Sequence, residues 1–432
     1  MIRIESTGSI VQSTQTSMTA MLPLSGIGDY CEVISRQGDR VPSEVIGLSQ
    51  NSCTLAPLEK SASISGGDFV KCFGQTIQIE VPDPPFGYLL DGLGRGTHIS
   101  PEKIFSEIES HHQQTQRIKE SLTTSPFQRT SLHKQAVTGI KVIDTLLPIA
   151  QGQRIGIFAS AGLGKSTLLA SMAQHFECDC CVVALIGERG REVKEFIDSL
   201  SRSTLEKTVV VASTSNELPL MRMKAAHTAL SIAETYREQG KHVLFIMDSL
   251  TRFARALRDI GLASNELPVR QGYPSSVYCK LPEFIERAGN DQNGSITAFY
   301  TVLTNQDGTE DPLADEIRSL LDGHFYLSQK ISNQNIRPSI DLNKSISRLT
   351  RSLLTNDQLK AQQYMIRLIN KWQSEKEFVL FGAELDTEMK SILTHEQLLI
   401  EFLSQQPDEY FNLHSSKALL HKIINKIQGN SN

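Results

Sequence analysis

Residues 154 to 169, RIGIFASAGLGKSTLL, constrain this chain more than any other stretch. Ile155 to Phe158 is a short apolar run that reads as a buried strand. A glycine-rich turn follows, and then Lys165, Ser166, Thr167 and an apolar helix start. Gly162 and Gly164 let backbone N–H groups turn inward toward an anion, and the amino end of the helix adds partial positive charge. In such a loop Lys165 reaches the β- and γ-phosphates of a nucleotide and Ser166 holds Mg²⁺. Ala159, Ser160, Ala161, Gly162, Leu163, Gly164, Lys165, Ser166 and Thr167 therefore form the candidate nucleotide-binding set. The usual pattern begins with glycine where this chain has Ala159.

With 432 residues, two or three domains are expected. Hydrophobic residues make up 39%, charged residues 21%, and the formal net charge is −5. That balance, without a Lys/Arg block, makes no electrostatic case for nucleic acid as the main partner, and none is expected. No apolar run approaches the roughly 20 residues that span a bilayer, and the start, MIRIESTGSI, lacks a signal-peptide layout. A cytoplasmic location is expected. The seven cysteines fit it: Cys178, Cys180 and Cys181 cluster without a second CxxC to complete a zinc set, and read as reduced, partly buried thiols.

From residue 1 to about 80 the segments IRIE, TAMLPL, YCEVI, SEVIGL, CTLAPL, FVKCFG and TIQIEV alternate, separated by turn residues. This spacing predicts a small all-β barrel or sandwich serving assembly or packing. VPDPPFGYLLDGLGR (81–95) marks a boundary, because prolines disrupt strand pairing and glycines permit tight turns. Residues 98–130 are polar and read as loop with one short helix. From about 131 to 350 strand and helix patterns alternate, which predicts an α/β domain with a mostly parallel sheet. Strands are expected at 155–158, 181–186, 208–213, 243–247 and 296–303, and helices at 165–176, 191–201, 219–239 and 250–260. Beyond 350 the pattern is helical, with Met365, Leu368, Ile369 and Trp372 on one packing face.

Two further runs carry candidate chemistry. In VVALIGERGRE (182–192) an apolar strand delivers Glu188 to its carboxyl end, where ligands of parallel α/β sheets sit. A carboxylate there either governs an attacking water or is an inert turn residue. Arg189 and Arg191 either steady phosphate charge or pair with Glu192 and Glu195. In HVLFIMDSLTRFAR (242–255) the strand ends in Asp248, placed to hold Mg²⁺ through water. Phosphoryl transfer calls for one more cation near the γ-phosphate, and Arg348 in SIDLNKSISRLTR (339–351) is a candidate, although residue type alone favours a solvated side chain.

The runs GERGREV (187–193), DSLTRFARALRD (248–259), GYPSSVYCKLPEFIERAG (272–289), GSITAFYTVL (294–303) and DEIRSLLDGHFYLS (315–328) resemble the type III protein-export ATPases of bacterial flagella and injectisomes. These are themselves similar to the catalytic subunits of rotary ATP synthases. The likeness is continuous from about 126 to 350 and weaker on either side. It implies an α/β fold: a RecA-like parallel-sheet ATPase core (81–350), an N-terminal β-barrel (1–80) and a C-terminal helical domain (351–432). It also implies ATP and Mg²⁺, and a homohexamer with nucleotide at subunit interfaces. A central stalk, stator-like export proteins, chaperones, unfolded substrates and a membrane export gate, approached peripherally at the inner membrane, are the implied partners.

Carried over by position, the resemblance makes Lys165 the phosphate lysine, Ser166 the Mg²⁺ ligand, Glu188 the catalytic base, Asp248 the residue behind the metal's water, and Arg348 a finger reaching into the neighbouring subunit. Arg189 joins them as a candidate catalytic residue, and an Ala159 start is similar to other members. Three features depart from the family. Arg337 stands before Pro338 where an aromatic near the adenine is common, so base stacking falls to a guanidinium plane or another side chain. The acidic run after the YTVL strand reads NQDGTEDP (305–312). The amino terminus enters the β domain almost at once, so the helical extension that docks a stator-like partner is expected to be shortened or absent.

ATP-driven export is the leading expectation, with HVLFIMDSLTR and KLPEFIERAGN nearer the flagellar members than the injectisome ones. A non-catalytic ring subunit is the alternative, opposed by intact Lys165, Glu188 and Asp248. Proton-coupled synthesis would need rotor and membrane subunits, and an RNA-translocating hexamer would need a nucleic-acid surface in the amino domain.

Overall fold

A computed structural model describes residues 5–60, 64–99, 115–118, 125–304, 311–380 and 386–429. Six short strands close into a barrel in the order Ser6–Ser13, Met18–Met21, Cys53–Pro57, Arg40–Leu48, Tyr30–Ile34 and Phe69–Cys72, the last pairing back to the first. The alternation seen in the sequence fills the inside: Ile10, Met18, Ala20, Cys31, Val33, Val45, Leu55 and Val70 point inward and are buried.

The barrel ends at Cys72, earlier than the sequence suggests. The TIQIEV segment leaves it, and Ile79–Pro82 forms a separate ribbon with Thr115–Ile118. The proline-rich stretch is likewise not a bare boundary. Tyr88–Leu90 joins the core sheet parallel to Thr208–Thr214, because its prolines lie ahead of the strand, where no ladder bond is lost. The short helix expected within 98–130 falls largely on residues outside those described; of the rest, Gly96–His98 and Thr115–Ile118 are strands and Pro126–Gln128 is a single 3₁₀ turn.

The core sheet runs Ile346–Ser347, Gly323–Tyr326, Arg154–Ala159, Ser295–Leu303, His242–Asp248, Cys180–Glu188, Thr208–Thr214, Tyr88–Leu90, Gly96–His98. Along this order every pairing from Gly323–Tyr326 to Tyr88–Leu90 is parallel, the two outermost strands are antiparallel edges, and Gly289–Asn290 adds a short antiparallel pairing to Ser295–Leu303. The central strands are buried on both faces, so they read as unbroken apolar runs rather than alternating ones. Ile155, Ile157, Val183 and Ile246 face the helices Lys141–Leu146, Lys165–His175 and Gly190–Asp198 and the carboxyl-terminal helices. Val182, Ala184, Phe245 and Tyr300 face Pro219–Glu238, Leu250–Ala263 and Ser275–Glu286.

The carboxyl-terminal region is helical: Asn356–Leu380, Thr387–Thr394, Glu396–Leu403 and Leu413–Ile427. Met365, Leu368, Ile369 and Trp372 are its buried stripe, continuous with the core of the α/β domain. Polar contacts fix the junction. Lys141 Nζ, on a wholly buried helix, donates to Glu401 O (2.8 Å) and Ser404 O (2.9 Å). Gln405 spans the joint, accepting from Lys141 N (2.9 Å) and donating to Gly139 O (2.7 Å). Each is a buried polar group given partners, without which burial would be costly.

Trp372 is 1% exposed, and its ring nitrogen donates to Glu396 Oε1. Trp372→Ala is expected to lower the unfolding free energy by about 3–5 kcal/mol, measured by urea denaturation of the two proteins side by side.

Candidate active site

Parallel strands bring their carboxyl ends to one edge, and four of them build the site. Arg154–Ala159 ends in the glycine-rich loop, Ser295–Leu303 contributes Thr301, His242–Asp248 ends in Asp248 and Cys180–Glu188 ends in Glu188. The loop needs its glycines for backbone conformation rather than for room. Gly162 (φ +83°) and Gly164 (φ +81°) are left-handed, yet a Cβ at Gly162 would meet nothing within 4 Å. Gly164 is also the N-cap of Lys165–His175 and has no side chain to cap with, so the first N–H groups stay available to an anion. Ser339 Oγ holds the loop from behind by donating to Leu163 O at 3.1 Å.

Lys165 crosses the Ser295–Leu303 strand to reach Asp248. Its Nζ lies 2.5 Å from Asp248 Oδ1, and both side chains are largely out of water, at 14% and 6% exposure. Thr301 Oγ1 donates to the same carboxylate oxygen at 2.7 Å. Ser249 starts the next helix at once, its Oγ accepting from Arg252 N, and so puts Arg252 on the helix's first turn. The guanidinium turns back to Glu188, Nη2 donating to Oε2 at 3.2 Å and Nε lying 3.0 Å from Oε1 in an ion pair that does not reach hydrogen-bond geometry. Gly187 gives the arginine its space, because a Cβ there would come within 2.8 Å of Arg252 Cδ.

The Glu188 carboxyl is pushed up to about 7, first by burial and then by the Asp248 charge and a hydrogen bond with Glu192, while Lys165 and Arg252 pull against them. A carboxylate poised near neutrality can take a proton from water in the way a general base must.

A cavity of about 220 Å³ opens beside the loop helix, lined by Leu163, Thr167, Leu168, Arg337, Gln405 and Pro407 among others. Arg337 Nη1 is tied to Ser332 O (3.2 Å) and Ser332 Oγ (2.5 Å), which fixes the guanidinium. Ser166 and Thr167 are exposed at the helix start. Among the described residues no group of three or more His, Cys, Asp or Glu could cage a metal. The donor set of one hydroxyl, Ser166, and one carboxylate, Asp248, suits Mg²⁺, which keeps waters and takes its remaining oxygens from phosphate.

The three arginines read from the sequence lie elsewhere, Arg191 being 79% exposed and paired with Glu195 at 3.1 Å. Arg189 is 75% exposed, 3.9 Å from Glu192, because the helix Gly190–Asp198 begins just after it and leaves it facing outward. Arg252 takes the position beside Glu188. The signal for it was present in DSLTR, where a residue one helical turn after a strand-end aspartate is aimed back at the sheet edge. Arg348 is exposed at the far, amino-terminal end of the sheet, its backbone N donating to Asp322 O at 3.1 Å. Residues 305–310 of the NQDGTEDP run lie outside the described residues.

The family model for the ATP synthase alpha/beta family, nucleotide-binding domain, matches residues 139–347. The chain is 37% identical to the flagellum-specific ATP synthase of Bacillus subtilis (strain 168), over 92% of this chain and 90% of that one. It is 40% identical to the type 3 secretion system ATPase of Pseudomonas syringae pv. tomato, over 84% and 80%. The assembled ATPase EscN of the enteropathogenic E. coli type III secretion system superposes with a TM-score of 0.88 at 38% identity, covering 96% of this chain and all of that one, 100%. EscN in complex with its central stalk EscO superposes with a TM-score of 0.86 at 37% identity, covering 96% and 100%.

Glu188 is expected to take up its proton as pH falls through about 7. Removing a neighbouring negative charge favours the ionised form, so Asp248→Asn should move that midpoint down; titration of the labelled glutamate carboxyl carbons by NMR reads both.

Proposed function

The chain belongs to the family of flagellum-specific ATP synthases and type 3 secretion ATPases, and on that premise we propose that it hydrolyses ATP, as the Mg²⁺ complex, to drive protein export through a type III apparatus. The observation that carries the reading is the convergence of the glycine-rich loop, the Lys165–Asp248 pair and Glu188 on the carboxyl ends of neighbouring strands. Residues Ala159 to Thr167 cradle the phosphates, and Lys165 exchanges Asp248 for phosphate oxygens when nucleotide arrives. The cavity beside Thr167 receives the base, with the Arg337 guanidinium as one wall. Glu188 orients the attacking water and accepts its proton, and Arg252 holds Glu188 in place. Ser166 directly and Asp248 through water would hold Mg²⁺, which supplies charge neutralisation on the phosphates. Arg189 is not assigned a part in the reaction, since Arg252 fills the position that suits one.

Arg348 acts on another subunit. It lies level with Arg154, the first residue of a six-residue strand whose last residue opens the phosphate loop. At about 3.3 Å per residue its own loop is roughly 16 Å off, beyond an arginine's reach, so only a neighbour's nucleotide is available to it. This supports a homohexamer with shared sites, and the assembled EscN relative supports the same arrangement. EscN in complex with its central stalk supports a central stalk as partner. Stator-like proteins, chaperones, unfolded substrates and a membrane gate follow from the family resemblance. Among the described residues no helix is long and apolar enough to cross a membrane, so association with the inner membrane is proposed as peripheral.

Flagellar and injectisome relatives match at similar identity, and the flagellar reading rests on the HVLFIMDSLTR and KLPEFIERAGN runs. Loss of filament assembly in cells carrying Glu188→Gln supports it; intact motility with lost secretion of effector proteins overturns it. For the reaction itself, Glu188→Gln should lower kcat by about 10²–10⁴-fold while nucleotide binding survives, measured by phosphate release and equilibrium binding. Equal, non-zero activities would remove Glu188 from its role, and nucleotide binding without turnover in either protein would favour the non-catalytic ring subunit. Arg348→Ala should reduce turnover by roughly 10³-fold or more with ATP binding intact. Specific activity should also rise with protein concentration across the assembly range, and a flat profile counts against shared sites.

A further inference from the structure

The backbone that presents Arg348 is held by more than its two-residue edge strand. Gln153 is completely buried, at 0% exposure, and its amide bridges three segments. Its Oε1 accepts from Ala150 N (2.8 Å), while its Nε2 donates to Asp322 O (3.0 Å) and Ser347 Oγ (3.2 Å). Ser347 Oγ in turn donates to Pro148 O at 2.6 Å. Asp322 O carries a second hydrogen bond, from the backbone N of Arg348 at 3.1 Å. The Asp322 carboxylate is gripped by Arg154, whose N and Nε donate to Oδ2 at 3.1 and 2.9 Å and whose Nη2 donates to Oδ1 at 3.2 Å. Arg154 Nη1 also meets Glu286 Oε1 at 2.5 Å.

We propose that Gln153, acting with Ser347, is a positioning residue that fixes the backbone from which Arg348 reaches the neighbouring subunit's nucleotide. The inference rests on the trans role of Arg348 proposed above. Two ladder residues, Ile346 and Ser347, leave the following arginine free to swing. The buried amide removes that freedom by joining the residue before Arg348 to the carbonyl that Arg348 itself donates to. The placement also has a direction. Arg154, next to Gln153, begins the strand that ends in this subunit's own phosphate loop. One rigid strand therefore carries a site at one end and, at the other, the support for the arginine offered to the next site. A displacement of about 1 Å in a group that contacts the transition state can lower a rate by roughly 10²-fold, so a loosened support is visible in turnover.

Removing the amide leaves buried polar groups without partners, so folding is checked first by circular dichroism and thermal unfolding. Gln153→Ala is expected to lower kcat by roughly 10- to 100-fold with little change in ATP affinity. If Gln153→Ala does not fold, Ser347→Ala, which deletes a single link of the same network, takes its place in every measurement. The deciding experiment mixes subunits. A ring of Arg348→Ala and Glu188→Gln chains pairs an intact site with an intact arginine across some interfaces, and should turn over faster than either variant alone. Gln153→Ala mixed with Glu188→Gln should be rescued in the same way, and mixed with Arg348→Ala it should not. Rescue by Arg348→Ala instead would mean that Gln153 serves its own subunit's site, which overturns the proposal. Normal turnover of Gln153→Ala alone overturns it as well. If the Arg348→Ala and Glu188→Gln control shows no rescue, the trans role of Arg348 fails first and this inference goes with it.

Discussion

An ammonium and a carboxylate 2.5 Å apart, nearly out of water, stand at the centre of this protein. Neither Lys165 nor Asp248 could be buried alone, since an uncompensated charge in the interior is strongly destabilising. The two can meet only because a parallel sheet brings several strand ends to one edge, and because Thr301 on the strand between them adds its hydroxyl. The pair keeps the mouth of the phosphate loop close to neutral until a more highly charged partner enters. Glu188 feels the consequence. With Lys165 already paired, burial and the Asp248 charge outweigh the cations and hold its proton near neutrality.

The parts of this arrangement that were legible in the sequence are those in which one short run carries its own geometry. The loop from Ala159 to Thr167, the strands ending in Glu188 and Asp248, and the helical face of Met365, Leu368, Ile369 and Trp372 were all readable from period and composition. The α/β class, the barrel and the helical carboxyl region followed from the same patterns. What was hidden depended on partners far away along the chain. Tyr88–Leu90 has three residues between turns, too few for any period, and becomes a strand only because Thr208–Thr214 offers it an edge. Ile79–Pro82 alternates as a barrel strand would, yet the barrel closes without it. Arg189 and Arg252 show the same limit at the site. Adjacency to Glu188 in sequence put Arg189 forward, whereas the helix that begins at Leu250 brings Arg252 back across the sheet edge.

The helical region is joined to the core beside the glycine-rich loop through well-satisfied polar contacts. Gln405 touches Gly139 and Lys141 with its side chain, and its backbone N donates to Arg337 O at 2.7 Å. Arg337 and Gln405 both line the 220 Å³ cavity. A ligand in that cavity that shifts Arg337 therefore pushes on the same backbone that seats the helices, with no separate hinge required between the cavity and the carboxyl-terminal region.

The separation of Arg348 from the Lys165 loop, at opposite ends of the Arg154–Ala159 strand, has a geometric consequence for assembly. On the role proposed for Arg348, a subunit gives at one end of its sheet and receives at the other, which makes a heterologous, head-to-tail contact, and a two-fold pair cannot satisfy both ends in the same way. Every copy added uses one free end and presents another. Only the rotation between successive copies then decides the outcome: a closed ring if the angle divides a full turn, and an open filament if it does not.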